Sequence, residues 1–419
     1  MSNAFKAADI LLPHNIEMEK WSVVACDQYT SEPEYWEKVE QIVGNAPSTL
    51  RLILPEVYLE SDNVDARIAD IHKNMDKYLA DNIFDEYKNA MIYVERATAD
   101  GVRAGIVGAI DLEEYDYRKG SKSSVRATEA TVVERIPPRI KVRNGAPLEL
   151  PHIMILIDDA KRTVIEKLSA KKDQLKKVYD FELMQGGGHI AGYLLGEDDI
   201  AEVTAALDAL GNADEFNAKY GLKNEPVMLY AMGDGNHSLA TAKEYYEQLK
   251  RDDPDKDMSA HPARYALAEI VNLHSDALRF EAIHRIVTGV DAEKLLAALK
   301  AALETSENGS GQSFVVVNGS KDETLYVGKP TSNLTVGSLQ QFLDAYVKEN
   351  GGKIDYIHGE DVIRKLAKAD DAVGFLLPDM GKEELFPTVI KDGALPRKTF
   401  SMGHAQDKRF YTEARRINA

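Results

Sequence analysis

The sequence predicts a mixed α/β (α+β) protein with a C-terminal α/β unit of its own, and three observations carry that expectation. Short apolar runs bounded by turn residues alternate with amphipathic runs of helical period. Neighbouring apolar runs joined by glycine-bearing polar turns read as hairpins. An apolar run at residues 226–232 enters a glycine turn and leaves it as a helical run, a strand-turn-helix corner.

In chain order, residues 8–12 and 21–26 are apolar runs, and Ser31-Glu32-Pro33 is a start signal for a helix over 34–43. Residues 50–54 before Pro55 read as a strand and 65–79 as an amphipathic helix. Residues 90–96 and 102–112 form a hairpin around Thr98-Ala99-Asp100-Gly101. A strand at 151–159, a helix at 163–177 and a hairpin at 181–195, turning at Gln185-Gly186-Gly187-Gly188-His189, follow. After the corner and its helix from Leu239, strands are expected at 263–274 and 278–287. The remainder reads as helix 292–303, hairpin 313–317 with 324–327, helix 339–348, strand 354–358, helix 361–369, strand 372–377 and helix 382–390. Residues 304–311 look like a linker, giving a main unit at 1–303, in which 60–225 has the look of an insertion, and a second at 312–419.

A chain of 419 residues with 44% hydrophobic content is long enough for two or three domains. Its net charge of -18 opposes attraction to nucleic acid or an anionic membrane, so neither is an expected partner. The oligomeric state is not legible. Cys26 is the sole cysteine, which rules out an internal disulfide and a Cys-based zinc site; a reduced packing residue in a cytoplasmic protein is expected. No apolar stretch reaches the roughly 20 residues that span a bilayer, and the first residues lack a signal-peptide core.

Chemistry concentrates in Met232-Gly233-Asp234-Gly235-Asn236-His237-Ser238. Gly233 and Gly235 allow positive φ and close approach to a ligand, and the helix that follows presents N–H groups suited to an anion. His237 is a candidate general base, and Asp234 a candidate base or Mg²⁺ ligand. The competing reading is an ordinary corner in which Asp234 or Asn236 shapes the turn and Ser238 caps the helix. Neither a Walker loop nor GxGxxG is present, and Ser238 lacks the glycines of a nucleophile elbow. The histidines show no metal-ligand spacing. A basic island runs from Arg118 to Arg143; within it Arg126, Glu129, Arg135 and Arg139 flank the stiff Pro137-Pro138 and are the ionisable groups expected beside the glycine turn. Solvated surface charge is the competing reading for most of the island. Arg397 and Lys398 repeat the mixture of cations, hydroxyls and glycine near the C-terminus.

Gly233-Asp234-Gly235-Asn236-His237-Ser238-Leu239-Ala240-Thr241-Ala242 resembles the DGNHS segment of bacterial domain-of-unknown-function family 1015. Arg126-Ala127-Thr128-Glu129, Glu134-Arg135-Ile136-Pro137-Pro138-Arg139, Pro147-Leu148-Glu149-Leu150-Pro151-His152, His261-Pro262-Ala263-Arg264-Tyr265 and Leu395-Pro396-Arg397-Lys398-Thr399-Phe400 extend that resemblance over nearly the whole chain. The family brings no activity with it. The D-G-x-H pattern is also similar to the nucleotide-binding corner of ParB and sulfiredoxin-like proteins, a group that includes free-serine kinases. That similarity implies a core of that type with large insertions, and ATP or ADP with Mg²⁺ as cofactor. An Arg usually follows the His there, whereas this chain has Ser238, so the phosphate cation has to come from elsewhere: Arg126, Arg135, Arg139, Arg397 or Lys398.

The expectation is therefore a cytosolic enzyme that takes a small anionic ligand, a nucleotide or phosphorylated metabolite, and passes phosphate to a small hydroxylated metabolite. Asp234, His237 and Glu129 are its candidate catalytic residues, and Asn236 and Ser238 fix the ligand. A noncatalytic binder with the same pocket and a metal-dependent hydrolase are the alternatives.

Overall fold

The computed structural model describes residues 3–129 and 136–418, which form two compact units. Of the described residues, the first holds 3–127, 136–278 and 403–418, and the second holds 128–129 and 279–402. Each mixes helices and strands, so the chain is a mixed α/β protein.

The first unit is built on a ten-stranded sheet. Its order is Lys176–Leu183, Gly188–Leu194, Ile92–Thr98, Gly101–Asp111, Tyr265–Asn272, Met154–Ile157, Tyr230–Asp234, Val125–Arg126 and Tyr115–Asp116, with Phe5–Lys6 also on Gly101–Asp111. Its central strands send successive side chains to opposite faces, each packed in its own core. Tyr93, Ile106 and Ile270 enter one core, while Ile92, Val94, Val107 and Leu267 enter the other. Helix Asn236–Asp252 covers the first face with Leu239, Ala242, Tyr245 and Tyr246, a helical stripe. Helix Pro33–Val43, opened by Pro33 in its first turn, covers the second with Trp36, Val39 and Val43.

Two expected elements differ. Residues 163–177 hold only the short helix Glu166–Ser169 and a 3-10 turn, Lys172–Gln174, because the chain from Lys176 alternates buried Tyr179, Phe181 and Leu183 with exposed Asp180 and Glu182 and joins the sheet. Residues 50–54 form no strand: Ser48 Oγ accepts the Leu50 N–H at 3.2 Å to open a 3-10 turn, Thr49–Arg51. Leu52 and Ile53 then bury their side chains in different cores.

In the second unit five strands lie in the order Lys321–Tyr326, Ser313–Asn318, Ala372–Leu376, His284–Thr288, Lys353–Ile357, every neighbour antiparallel. Ile286, Val317, Ile363, Ala372 and Leu376 make its core. Residues 304–311, the expected linker, run between helix Ala292–Ala302 and strand Ser313–Asn318. Residues 403–418 return to the first unit, which local sequence pattern does not reveal. Among the described residues no helix is long and apolar enough to cross a membrane.

Candidate functional site

Strand Tyr230–Asp234 pairs with Met154–Ile157, and the register slips between Met232 and Asp234. Gly233 is the extra residue of that bulge, which turns Asp234 out of strict alternation. Gly235 follows in left-handed conformation at φ 77° and is the N-cap of helix Asn236–Asp252, with no side-chain cap. A Cβ there would lie 3.1 Å from Ile153 Cα and 3.3 Å from the His152 carbonyl oxygen, so the glycine is demanded by both conformation and space. The helix begins at Asn236, three residues before the expected start, and Asn236, His237 and Ser238 are its first turn. At about 100° per residue their side chains diverge.

Ser238 meets a residue the motif search passed over. Its Oγ is 2.6 Å from Nε2 of His152, a buried residue just before strand Met154–Ile157. His152 Nδ1 is 2.8 Å from the Tyr411 hydroxyl, which accepts the Cys26 N–H at 3.0 Å. Asp27 Oδ2 stands 4.0 Å from His152 Nε2. Burial raises the Asp27 carboxyl, but His152, Gln28 and Lys408 outweigh it and hold the group below its ordinary value. The Cys26 thiol is pushed well up by burial, then by Asp27 and Glu56, and is free.

Asp234 points elsewhere. Lys408 Nζ lies 3.4 Å from Asp234 Oδ2, with both side chains largely buried, and the Gly235 N–H donates to Asp234 Oδ1 at 3.0 Å. Arg103 interacts with Asp234 electrostatically, and burial depresses its guanidinium, with Glu269 countering. Behind it Arg409 bridges Glu269 at 3.2 Å and Glu413 at 2.7 Å, all three buried. Asn236 Oδ1 is buried with no hydrogen-bond partner among the described residues. The His237 carbonyl accepts the Thr241 hydroxyl at 2.7 Å.

The basic island is not gathered at the turn. Arg126 sits on a strand pairing in parallel with Tyr230–Asp234, but its guanidinium donates to the Ser123 and Pro226 carbonyls at 2.8 and 2.9 Å, and Pro226 precedes the far end of that strand. Two of its donors are thus spent on backbone carbonyls. Arg139, on helix Ile136–Arg143 packed against helix Asn236–Asp252, is ion-paired to Glu56. Glu129 is in the second unit, in a parallel bridge to Leu395. Arg135 lies outside the described residues. Arg397 and Lys398 belong to the second unit too: their carbonyls accept from buried Arg285 at 2.9 and 2.8 Å, and Arg397 pairs with Asp344 at 3.3 Å. Lys408 instead pairs with Asp234, and no sequence signal separated it from other basic residues.

Under the first turn of the helix lies a cavity of about 150 Å³. Ser238, Thr241, His152, Tyr411 and Cys26 line one part of it, and Leu54, Leu59, Met75, Val142 and Leu148 line the rest. Arg139 and Arg143 also reach it, paired with Glu56 and Glu149. Among the described residues no group of three or more His, Cys, Asp or Glu side chains is arranged to hold a metal.

Among solved structures, the chain is similar to a conserved hypothetical protein from Pyrococcus furiosus, at 13% identity and TM-score 0.36, over 74% of this chain and 95% of that one. It is similar to a free serine kinase in complex with AMP, at 14% identity and TM-score 0.38, over 74% and 91%. SbnI with C-terminal truncation from Staphylococcus aureus matches at 9% identity and TM-score 0.36, over 71% and 82%. No curated protein matches the sequence. A family match over residues 9–346 takes in His152, Asp234 and Ser238 but stops short of Lys408 and Tyr411, and by that match the chain belongs to the family described as "Protein of unknown function (DUF1015)".

Proposed function

We propose that this chain binds a phosphorylated small molecule against the first turn of helix Asn236–Asp252, and that the ligand is ATP or ADP with Mg²⁺ in a phosphoryl transfer to a small hydroxylated metabolite. The observation that carries the reading is the Lys408–Asp234 pair beside an uncapped helix start, 3.4 Å apart. A metal-nucleotide offers each partner a counter-charge, since phosphate oxygens suit the ammonium and Mg²⁺ suits the carboxylate. One protein carboxylate fits magnesium, which keeps waters and phosphate oxygens as its other ligands. Gly233 and Gly235 let backbone and ligand approach closely, and Asn236, whose Oδ1 is buried without a partner among the described residues, has acceptor capacity to give. In this reading His237 contacts phosphate or acts as base, Ser238 helps hold the ligand, and Lys408, with Arg103 behind it, supplies the cation that a Ser at 238 does not.

A thermal-shift panel of ATP, ADP and inorganic phosphate, with and without Mg²⁺, tests it. A nucleotide at 100 times its Kd adds about 2.7 kcal/mol of stability. Lys408→Met is expected to weaken nucleotide binding by about 1.5–3 kcal/mol, the worth of a charge-assisted bond. No shift with any nucleotide sinks the reading. Transfer is distinguished from binding alone by formation of a phosphorylated product.

A further inference from the structure

We infer that the cavity beneath Ser238 is a binding pocket for a small monocarboxylate with a compact apolar body, its carboxylate taken by Arg143. Size sets the first limit. A cavity of about 150 Å³ is on the scale that admits a benzene-sized molecule. Its apolar wall, with Leu54, Leu59, Met75, Val142 and Leu148 among its residues, rewards a hydrocarbon body.

Charge decides the head group. Helix Ile136–Arg143 brings Arg139 and Arg143 to the cavity one turn apart. Arg139 is matched by Glu56. Arg143 shares its partner: Glu149 also takes Arg415 Nε at 2.8 Å and the Leu267 N–H at 2.9 Å. Arg143, Arg415 and Glu149 are all largely buried, so two guanidinium groups divide one carboxylate and the trio carries a net positive charge. Buried charge is costly unless it is paired. The other contact of Arg143 among the described residues is the uncharged ring of Tyr245, 5.7 Å away at its centroid. An anion at the cavity completes the pairing.

Hydrogen bonding points to the same group. A guanidinium has five N–H donors, and among the described residues Arg143 donates only from Nη2, to Glu149. Its Nε is buried without a partner. A carboxylate answers both deficits, since it adds a negative charge and accepts from two donors of one guanidinium at once. A neutral amide of the same shape supplies an acceptor and no charge, and a cation supplies neither. Neither the His152 tautomer nor the direction of its bond to Ser238 enters this balance. Ser238 and Thr241 line the cavity from the helix that starts at the glycine turn, so the acid is a second ligand of that helix. The pocket stands whether or not a nucleotide binds at the turn.

The test titrates the full chain, followed by NMR, with four probes of one shape: isobutyrate, isobutyramide, isobutyramidinium and 2,3-dimethylbutane. Isobutyrate is expected to bind about tenfold tighter than the amide, the margin of a charge-assisted over a neutral hydrogen bond, and the amidinium not at all. The Arg143 Nε–H resonance should move with isobutyrate and stay in place with the hydrocarbon. Arg143→Met should erase the preference for carboxylate while leaving the hydrocarbon affinity unchanged. Arg143→Lys, which keeps a cation beside Glu149, should retain part of that preference and serves if the Met variant does not fold. Ala146→Phe, which fills the cavity from its wall, should abolish binding of every probe; Ala146→Leu, a smaller filling, should weaken all of them if the Phe variant does not fold. Isobutyrate binding no tighter than isobutyramide would make the cavity a packing void. Tighter binding of the amidinium, binding of no probe, or a carboxylate preference that survives intact in Arg143→Met would equally overturn the proposal.

Discussion

Gly235 answers to two demands at once, a positive φ of 77° and an approach in which a Cβ would lie 3.1 Å from Ile153 Cα. The backbone strain by itself costs about 1–3 kcal/mol for a residue with a side chain, and here the crowded neighbour is main chain, which yields little. Gly235→Ala is therefore expected to lower stability by at least that amount and to displace His152, whose carbonyl is 3.3 Å from the same point. Chemical denaturation checks the first part, and a shift of the His152 ring resonances the second; an unchanged midpoint would contradict the geometry. The glycine and its polar followers were legible in the sequence, because left-handed turns select glycine and helix starts select small polar residues. His152 was not, although it stands within a quoted motif: a histidine before an apolar run looks like any buried histidine until Ser238 and Tyr411 arrive from distant parts of the chain.

Among the elements, the periodic ones were readable and the ones settled by tertiary pairing were not. Helices Pro33–Val43 and Val64–Ala80 and the hairpin Ile92–Thr98 with Gly101–Asp111 follow from spacing and turn residues. Residues 163–177 and 50–54 did not, since sheet entry and a split between two cores overrode local pattern. Strand Leu148–Glu149 shows the same dependence on distant partners: it pairs with Arg415–Arg416, and Glu149 takes Arg143, Arg415 and the Leu267 N–H. Burial raises the Glu149 carboxyl, but Arg415 and Arg143 bring it below its ordinary value. A depressed carboxylate contributes its stability in full above its unfolded value of about 4.3 and loses it as pH falls through the lower folded value. Denaturation midpoints should accordingly fall with acidification below about pH 4. Arg415→Met should be destabilised at neutral pH by about 3–5 kcal/mol, because a buried charge is left short of a partner, and its acid loss should begin at higher pH. Identical acid limbs for the two proteins would refute this.

For the whole molecule, the decisive fact is that residues 403–418 belong with the first unit. They bring Arg409 between Glu269 and Glu413, Tyr411 to His152 and Lys408 to Asp234. A chain ending at Met402 keeps Glu269 buried without Arg409, a loss of about 3–5 kcal/mol for that pair alone. Its first unit is expected to lose cooperative unfolding. A fragment of 279–402 keeps every strand of its sheet and the core around Ile286, Val317 and Ile363, and is expected to melt as one transition. Calorimetry on the two proteins decides; a normal first-unit transition in the shortened chain would show the returning segment to be dispensable. The same return sets an order of events on the ribosome. Buried Glu269 and the site around Asp234 wait for residues 403–418, so the second unit, whose strands are contiguous in sequence, emerges and folds while the first is still open. At roughly 5–20 residues per second that interval lasts on the order of ten seconds, during which the apolar faces of the large sheet are exposed to chaperones, and a ribosome stalled near Met402 should display a protease-sensitive first unit.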